Sequence, residues 1–567
     1  MILQRNRFSA PAVFNAKKRM RFVVACMLLA PLLITGKLFY LQLFRHEEFS
    51  SKAERAIYNY LAEDRLRGGI YDVNGNALAE SVRTHSCGIV KRYVKDQNAT
   101  IAFLAETLGM PKQEISKKWK NTKNFFFVAK KIKPDVYMQL LAVRRKDLGQ
   151  GMELTPEYER IHPFGKSALD ILGEANSKNV GLSGIEQMYN EELTQDISRK
   201  RARRSARGEI IYDRHLKEKI NVGNVYLTID ETAQFYTERA LKHAVEKNNP
   251  ERAVALVQDP NTGNILAAAS YPLKDGQSLA FQFTYEPGST FKSIAIATAL
   301  DSGTVAPNTS VYMEGRNWEV AKGFVIKDKQ HKKEYLTLAE ILQLSSNIGA
   351  GKVALEIGSE TLFVYFKKFG FGSRTDINFN GESKGSVSPY STWTKVDLAT
   401  KGYGYGVAVT PIQLITAYSA IANGGYLMQP HLVDRIEYTS GKVDKKAKPV
   451  KIRRVLSAET AKTMRALLQT VVEVGSGKRA QIKGYNVAGK TGTAEKLSAE
   501  GGYGKRSHVV SFCGFVPVKD PQFTILVILD NPAKYTFGGT AAAPVFKEIA
   551  QPLLARYGVP PDQLDFE

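Results

Sequence analysis

Cysteine is nearly missing from this chain of 567 residues. Cys26, Cys87 and Cys513 are an odd number far apart in sequence, and neither a CxxC pair nor a His-rich cluster accompanies them. A disulfide framework and a thiolate or imidazole metal centre are therefore excluded, and no metal or cofactor is expected. Cys26 lies in an apolar run. A Cys87–Cys513 bridge stays open for an oxidising compartment, but the strand-like VVSFCGFVPV around Cys513 favours free, inert thiols. Carboxylates are also scarce: 56 Asp and Glu face 79 Lys and Arg, a net charge of +23. Such a balance suits an anionic partner, whether nucleic acid, acidic lipid or an acidic polymer.

Long apolar runs are as rare. One stretch, residues 22–44 (FVVACMLLAPLLITGKLFYLQLF), is long enough to cross a bilayer core of ~30 Å as a helix. It ends in LFYLQLFRHEEF with no small-residue cleavage site, so it reads as an uncleaved single-pass anchor and not as a signal peptide. Arg5, Arg7, Lys17, Lys18, Arg19 and Arg21 precede the run without an acidic residue, whereas both signs mix from Arg45 to Arg67. By the positive-inside rule residues 1–21 are a cytoplasmic tail and everything after the span is exported across the inner (cytoplasmic) membrane. Export excludes nucleic acid as the partner. It also turns the basic run SRKRARRSARGEIIYDRHLKEK at 198–219 into a solvated, charged hairpin.

The exported part divides near residue 222. Residues 45–222 alternate short β-type stretches with polar loops and hold little that looks chemical. RGGIYDVNG at 67–75 is partly echoed by RGEIIYDR at 207–214, as two similar strands of one extended module would be. Helical patterns between Gln97 and Asp147 end in glycine. From residue 223 onward VYLTID reads as a strand, ETAQFYTERALKHAVEKN as a helix and RAVALVQDPNTGNILAAASYP as a hairpin. The far end mirrors them with HVVSFCGFVPVKDPQFTILVILD and a closing helix in APVFKEIAQPLLARYG. Strands from both ends predict one antiparallel sheet covered by helices, with a largely helical part between about residues 280 and 480, hence an α+β fold.

Three short motifs in this half supply what a serine acyl-transfer site needs. SxxK occurs once, Ser289 to Lys292, and KTG once, Lys490 to Gly492; SxN occurs twice, and only Ser345 to Asn347 falls between the other two. A spacing of three on a helix returns Lys292 to the face of Ser289, within reach of its hydroxyl. To act as a base the amine must be neutral, a form that burial and a nearby cation such as Lys490 favour. At a helix start Ser289 has unpaired amides beside it for an oxyanion, and the amide of Thr493 in VAGKTGTAEK is the second donor. Gly492 leaves room for an extended peptide to pair with that strand, while Lys490, Thr491 and Thr493 offer charge and donors to a substrate carboxylate. Ser345 can pass a proton to a leaving amine, and Asn347 can hold both Lys292 and a substrate amide. Each motif alone reads as a helix cap or a glycine-kinked strand. Their order is what argues for a site.

This trio is shared by penicillin-binding proteins and class A β-lactamases, and with it the chain resembles the class B penicillin-binding proteins, membrane-anchored D,D-transpeptidases that cross-link peptidoglycan. RGGIYDVNGNALA and GLSGIEQMYNEEL (181–193) look like the family's N-terminal signatures; GYGYGVAVTPIQLITAYSAIANGG (402–425) and GGTAAAPVFKEIA (538–550) are similar to its transpeptidase motifs. The resemblance implies a transmembrane helix at 22–44, an extended β-rich pedestal at 45–222 and a transpeptidase domain at 223–567. That domain would be an antiparallel sheet with flanking helices and an all-helical subdomain. The resemblance also implies an acyl-enzyme on Ser289, formed at the penultimate D-Ala of a stem peptide, with Lys292, Ser345 and Asn347 as catalytic partners. Lys490, Thr491, Gly492 and Thr493 would bind substrate, and no cofactor would take part. Peptidoglycan stem peptides are the implied substrates, β-lactams the covalent inhibitors, and a SEDS-type glycosyltransferase with other division proteins the partners.

Glu286 just before the serine, and the lack of an extension after Glu567, resemble the division-type FtsI subgroup at the septum more than the elongation type. Val73 stands where the family has Arg. Two rival classes share the motifs. A β-lactamase needs a carboxylate to activate water, for which Glu382 is the nearest candidate, and a β-lactam sensor or a division scaffold would need no turnover at all. The anchor and the intact trio argue against both.

Overall fold

The computed structural model describes residues 11–43, 45–46, 65–143, 150–196, 202–204, 210–212, 221–328, 333–444, 446–497 and 503–563. The chain falls into two units, one of residues up to Asp64 with Asp196–Glu218, the other of Arg65–Gln195 with Lys219–Glu567. In the first unit α1 (Pro11–Leu43) is a single helix. Within Lys18–Leu43 the most apolar 18-residue window has a mean hydropathy of 2.2 and none of it is buried in the protein, so apolar side chains face outward all round, as a bilayer requires. The expected span lies within this helix except for residue 44, which is outside the described residues. The basic hairpin appears as Ala202–Arg204 paired antiparallel with Ile210–Tyr212; the rest of 198–219 is outside the described residues. Ile210–Tyr212 shares no sheet with Ile70–Tyr71, so the echo between the two RG segments does not mark two strands of one module.

In the second unit β1 (Ile70–Tyr71) turns into β2 (Ala77–Val90) because Asp72 Oδ1 accepts the amides of Asn74 at 2.9 Å and Asn76 at 2.7 Å, the usual chemistry of an Asx turn. Position 73 joins this turn through its backbone, donating to Ile229 O at 2.9 Å, which explains how Val replaces the expected Arg. Helices α2 (Gln97–Leu108) and α3 (Lys112–Asn121), strand β3 (Phe125–Ile132), helix α4 (Pro134–Val143) and strand β4 (Met152–Ile161) close around Leu104, Ile115 and Val128. As its glycine predicted, α2 stops at Gly109 with φ 63°. The sheet carrying β1 to β4 continues into β5 (Gly223–Leu227), parallel to β1 with Val225 opposite Ile70, and totals seven strands. Beside it Arg67, 2 % exposed, donates to the Glu186 carboxylate, while Arg160 Nε donates to the second Glu186 oxygen at 2.7 Å. Removing Glu186 would take the carboxylate from both buried guanidinium groups, and its bond to Arg67 holds the two N-terminal signature segments to each other.

Asp230 caps α5 (Glu231–Asn248), which precedes β6 (Arg252–Gln258) and β7 (Ile265–Tyr271). Helices α6 (Lys292–Asp301), α7 (Leu338–Leu344), α8 (Asn347–Ile357), α9 (Pro411–Ala422) and α10 (Ala458–Glu473) follow. The chain then closes with β8 (Ala488–Leu497), β9 (Tyr503–Val516), β10 (Phe523–Asp530) and α11 (Ala543–Arg556). The five strands stand in the order β7-β6-β10-β9-β8, all antiparallel, one sheet built from both ends as expected. The central β10 is buried at every position because both faces are covered. Ile525 and Val527 pack in the core that includes Leu241 of α5 and Phe546 of α11, while Leu526 and Ile528 pack with Ile294 of α6 and Ile415 of α9. Cys87 and Cys513 are both free and buried, and burial pushes the Cys87 thiol up to about 12 and the Cys513 thiol up as well. The subdomain between the strand sets is mostly helical but not all-helical. Short pairings such as Asn317–Ala321 with Phe324–Lys327 and Ser386–Val387 with Val407–Ala408 interrupt it, and strands this short carry too few positions for alternation to register.

Asp170, 1 % exposed, sits where the N-terminal module meets the sheet. Burial pushes its carboxyl up to about 7, with hydrogen bonds from Ser270 and Ser278 opposing and the Glu238 charge adding to the rise. The folded protein thus keeps a proton that the unfolded chain releases at about pH 4, so this stabilising contribution is complete in acid and is lost as pH climbs to about 7. Between about pH 5 and about pH 8, wild type should lose roughly 3 kcal/mol of unfolding free energy relative to Asp170→Asn. Measuring the two proteins side by side cancels the other titrating groups. Parallel stability curves would show that Asp170 does not titrate in this window.

Candidate active site

Ser289 lies in one turn of 3-10 helix, Gly288–Phe291, that feeds α6. Gly288 has φ 54°, and a Cβ on it would stand 3.0 Å from Ala494 Cβ and 3.1 Å from Thr493 O, so the turn runs directly against β8. Gly492 is the matching bare point on the strand: a Cβ there would meet Thr290 Cγ2 at 3.0 Å and Pro287 O at 3.2 Å. Since β8 is an edge strand, one row of its backbone groups is left unpaired by the sheet.

Lys292 is fully buried, and its Nζ lies 2.9 Å from Ser289 Oγ, 2.7 Å from Ser345 O, 3.1 Å from Ser345 Oγ and 2.8 Å from Asn347 Oδ1. Lys490 is buried too and reaches from β8 to within 3.0 Å of Ser345 Oγ. One hydroxyl therefore bridges two amines. Ser345 can do this because it ends α7 in the left-handed conformation, φ 58°, turning the chain sharply before α8 begins at Asn347. The helix-cap reading and the site reading describe the same turn.

All eight residues singled out by the three motifs come from segments that meet here, with two refinements. Thr491 Oγ1 shares a hydrogen bond of 2.8 Å with Ser476 Oγ. Thr493 Oγ1 accepts the Gly538 amide at 3.4 Å and keeps its own proton for a ligand. Three residues were not legible as part of the site. Tyr405 Oη accepts the Glu495 amide at 3.0 Å, tying the GYGYG loop to β8. Glu286 accepts the Gly406 amide at 2.8 Å; burial raises its carboxyl above the usual range, against the pull of that bond and of Lys401. Asp328 accepts the Asn347 amide at 2.6 Å and the Ser346 hydroxyl. Glu382, the candidate for water activation, instead accepts from Thr375 N and Thr375 Oγ1, both at 2.6 Å, and fastens its own loop.

Residues 253–551 match the penicillin binding protein transpeptidase domain, and residues 63–227 the penicillin-binding protein dimerisation domain. Stage V sporulation protein D of Bacillus subtilis is 33 % identical over 98 % of this chain and 88 % of its own. The peptidoglycan D,D-transpeptidase FtsI of Escherichia coli K12 is 29 % identical over 96 % of this chain and 93 % of its own. A solved peptidoglycan synthetase from Bifidobacterium adolescentis superposes with a TM-score of 0.69 at 26 % identity, covering 89 % of this chain and 98 % of that one. Fold and site together define a penicillin-binding transpeptidase. Within that class the chain belongs to the class B penicillin-binding proteins of the FtsI type.

The GYGYG loop presses on the serine turn: Gly288 N donates to Gly404 O at 3.1 Å, and a Cβ on Gly404 (φ 87°) would stand 2.2 Å from Gly288 O. Gly404→Ala cannot be accommodated without displacing the backbone at Gly288, and covalent labelling by a fluorescent penicillin should slow ~10²-fold while circular dichroism stays unchanged. Labelling at the wild-type rate would mean that the turn has room to move.

Proposed function

We propose that this protein is a serine-type peptidoglycan D,D-transpeptidase with Ser289 as its nucleophile and Lys292 as the base. The observation that carries the reading is the set of oxygens around Lys292 Nζ. Of the four, Ser345 O and Asn347 Oδ1 can only accept. A neutral amine has two N–H bonds for these and a lone pair left for a hydroxyl proton from Ser289 or Ser345. An ammonium would have three N–H bonds for four oxygens. Burial beside a second amine favours the neutral form in the same sense.

The chemistry follows from these positions. Ser289 Oγ attacks the carbonyl of the penultimate D-Ala as its proton moves to Lys292, and the amides of Ser289 and Thr493 take the negative charge of the oxyanion. Ser345, between the two amines, relays a proton to the D-Ala nitrogen as the C–N bond breaks. An acceptor amine then attacks the ester, forms the cross-link and returns a proton to Ser289. Lys490 and Thr493 hold the donor's carboxylate and Thr491 is fixed for the same task by Ser476. Gly492, expected to make room for the peptide, instead makes room for the serine turn, because a Cβ there would meet Ser511, Thr290 and Pro287, and the peptide is offered the unpaired edge of β8 itself. Asn347 orients both Lys292 and the donor amide. β-Lactams acylate the same serine.

The reading covers the whole chain. Residues 1–21 are the cytoplasmic tail, 22–44 the inner-membrane span, 45–222 the pedestal and 223–567 the transpeptidase domain. The basic flank before α1 supports the inward N-terminus. Similarity to peptidoglycan D,D-transpeptidase FtsI supports the activity; within this reading the protein acts at the division septum, with a SEDS-type glycosyltransferase as partner and the pedestal as the contact surface.

Purified full-length protein should be labelled once per chain by fluorescent penicillin, and Ser289→Ala should abolish labelling without shifting the melting temperature. Lys292→Ala should slow acylation by ~10²–10⁴-fold; acylation at the wild-type rate would remove it as the base. Glu382→Gln should leave the lifetime of the penicilloyl adduct as it is. Rapid drug turnover that Glu382→Gln abolishes would instead make the protein a β-lactamase.

A further inference from the structure

We propose that Asp328 is a positioning residue for the acylation step, fixing the Ser345–Asn347 turn between the two lysines; the proposal rests on Ser289 being the acylated group. Asp328 directly follows the strand pair Asn317–Ala321 and Phe324–Lys327, and its own amide donates to Arg316 O at 3.0 Å. Its Oδ1 accepts the amides of Asn347 at 2.6 Å and Ile348 at 3.2 Å, the first two residues of α8. Its Oδ2 accepts the Ser346 hydroxyl, whose oxygen in turn accepts the Gly349 amide at 2.8 Å. One carboxylate thus satisfies two of the orphan amides of an 11-residue helix directly and orients the residue that caps a third. The positive end of the helix favours a negative charge at this point, and such charge-assisted bonds are the stronger kind.

This matters because the second motif hangs from a strained turn. A serine in the left-handed region stays there only where its surroundings over-determine it. From the α7 side Ser345 N donates to Leu342 O at 3.2 Å and Ser346 N to Ile341 O at 2.9 Å. From the α8 side the restraint comes through Asp328. Both Ser345 oxygens near Lys292, the Ser345 hydroxyl near Lys490 and the Asn347 Oδ1 near Lys292 are carried by these three residues. Without the carboxylate the first turn of α8 is freed, and the oxygens that direct the lone pair of Lys292 toward Ser289 move with it. The x position of SxN has a purpose in this arrangement: Ser346 is the link between Asp328 and the helix.

The test uses the full-length, detergent-solubilised protein, with a concentration series of fluorescent penicillin that separates non-covalent affinity from the first-order acylation rate constant. For Asp328→Ala the rate constant should fall on the order of 10²-fold, with affinity nearly unchanged. Asp328→Asn keeps an oxygen for the two amides and should recover most of the loss. Ser346→Ala removes the hydroxyl arm together with the cap of α8 and should slow acylation about tenfold in protein that stays folded at the assay temperature, with the melting temperature lowered only by the loss of one cap; it carries the test if Asp328→Ala does not fold. Wild-type acylation in either alanine variant, or a loss matched by the unfolded fraction, would overturn the proposal. Labelling of the wild type that Ser289→Ala abolishes checks the parent reading independently.

Discussion

The amine of Lys292 has more oxygen neighbours than it has protons, and it sits where water does not reach. Holding a polar group in that condition requires each neighbour to be delivered by a rigid element, because a buried amine with a loose partner would be costly. Three elements do this. Helix α6 brings Lys292 and the serine turn on one rigid segment, the α7–α8 junction brings Ser345 and Asn347, and β8 brings Lys490 from the far end of the sequence. The close contacts of Gly288 and Gly492 set the distance between the first and the third.

The sheet makes that distance stable. Because β10 is covered on both faces, the strands on either side of it cannot shift without disturbing two cores at once, and close-packed interiors resist such shifts. The edge strand β8 inherits this rigidity through β9 while keeping one side unpaired. The N-terminal module is joined to the same body by backbone pairing of β1 with β5 and by the carboxylate of Asp72, which accepts the Glu231 amide at the start of α5 at 3.1 Å. The Arg67–Glu186–Arg160 cluster gives the module an interior of its own.

What was legible in the sequence follows from how far each signal travels along the chain. The strands of the central sheet run to seven residues or more, long enough for apolar runs and turn residues to declare them, and they were read correctly. The meeting of the three motifs was legible because Ser289 and Lys292 are related by helical spacing and the other motifs by their order. Asp328 was hidden because its partners lie beyond a strand pair too short to register. Ser476 was hidden because the loop carrying it meets Thr491 only after the sheet has formed, and Tyr405 because an aromatic in a glycine-rich stretch looks like packing. β1 has only two residues, and its partner β5 is distant in sequence, so nothing local foretold a sheet that takes strands from both sides of residue 222.

Two glycines, Gly288 and Gly404, meet backbone to backbone beside Ser289. Glycine can be replaced only by something larger, so neither position has a neutral neighbour in sequence space. The side chains around this contact, such as Ser476 and Tyr405, can be exchanged without touching the Gly288 and Gly404 backbones. The floor of the site is thus main chain against main chain, a surface that a substitution can only lift and never reshape.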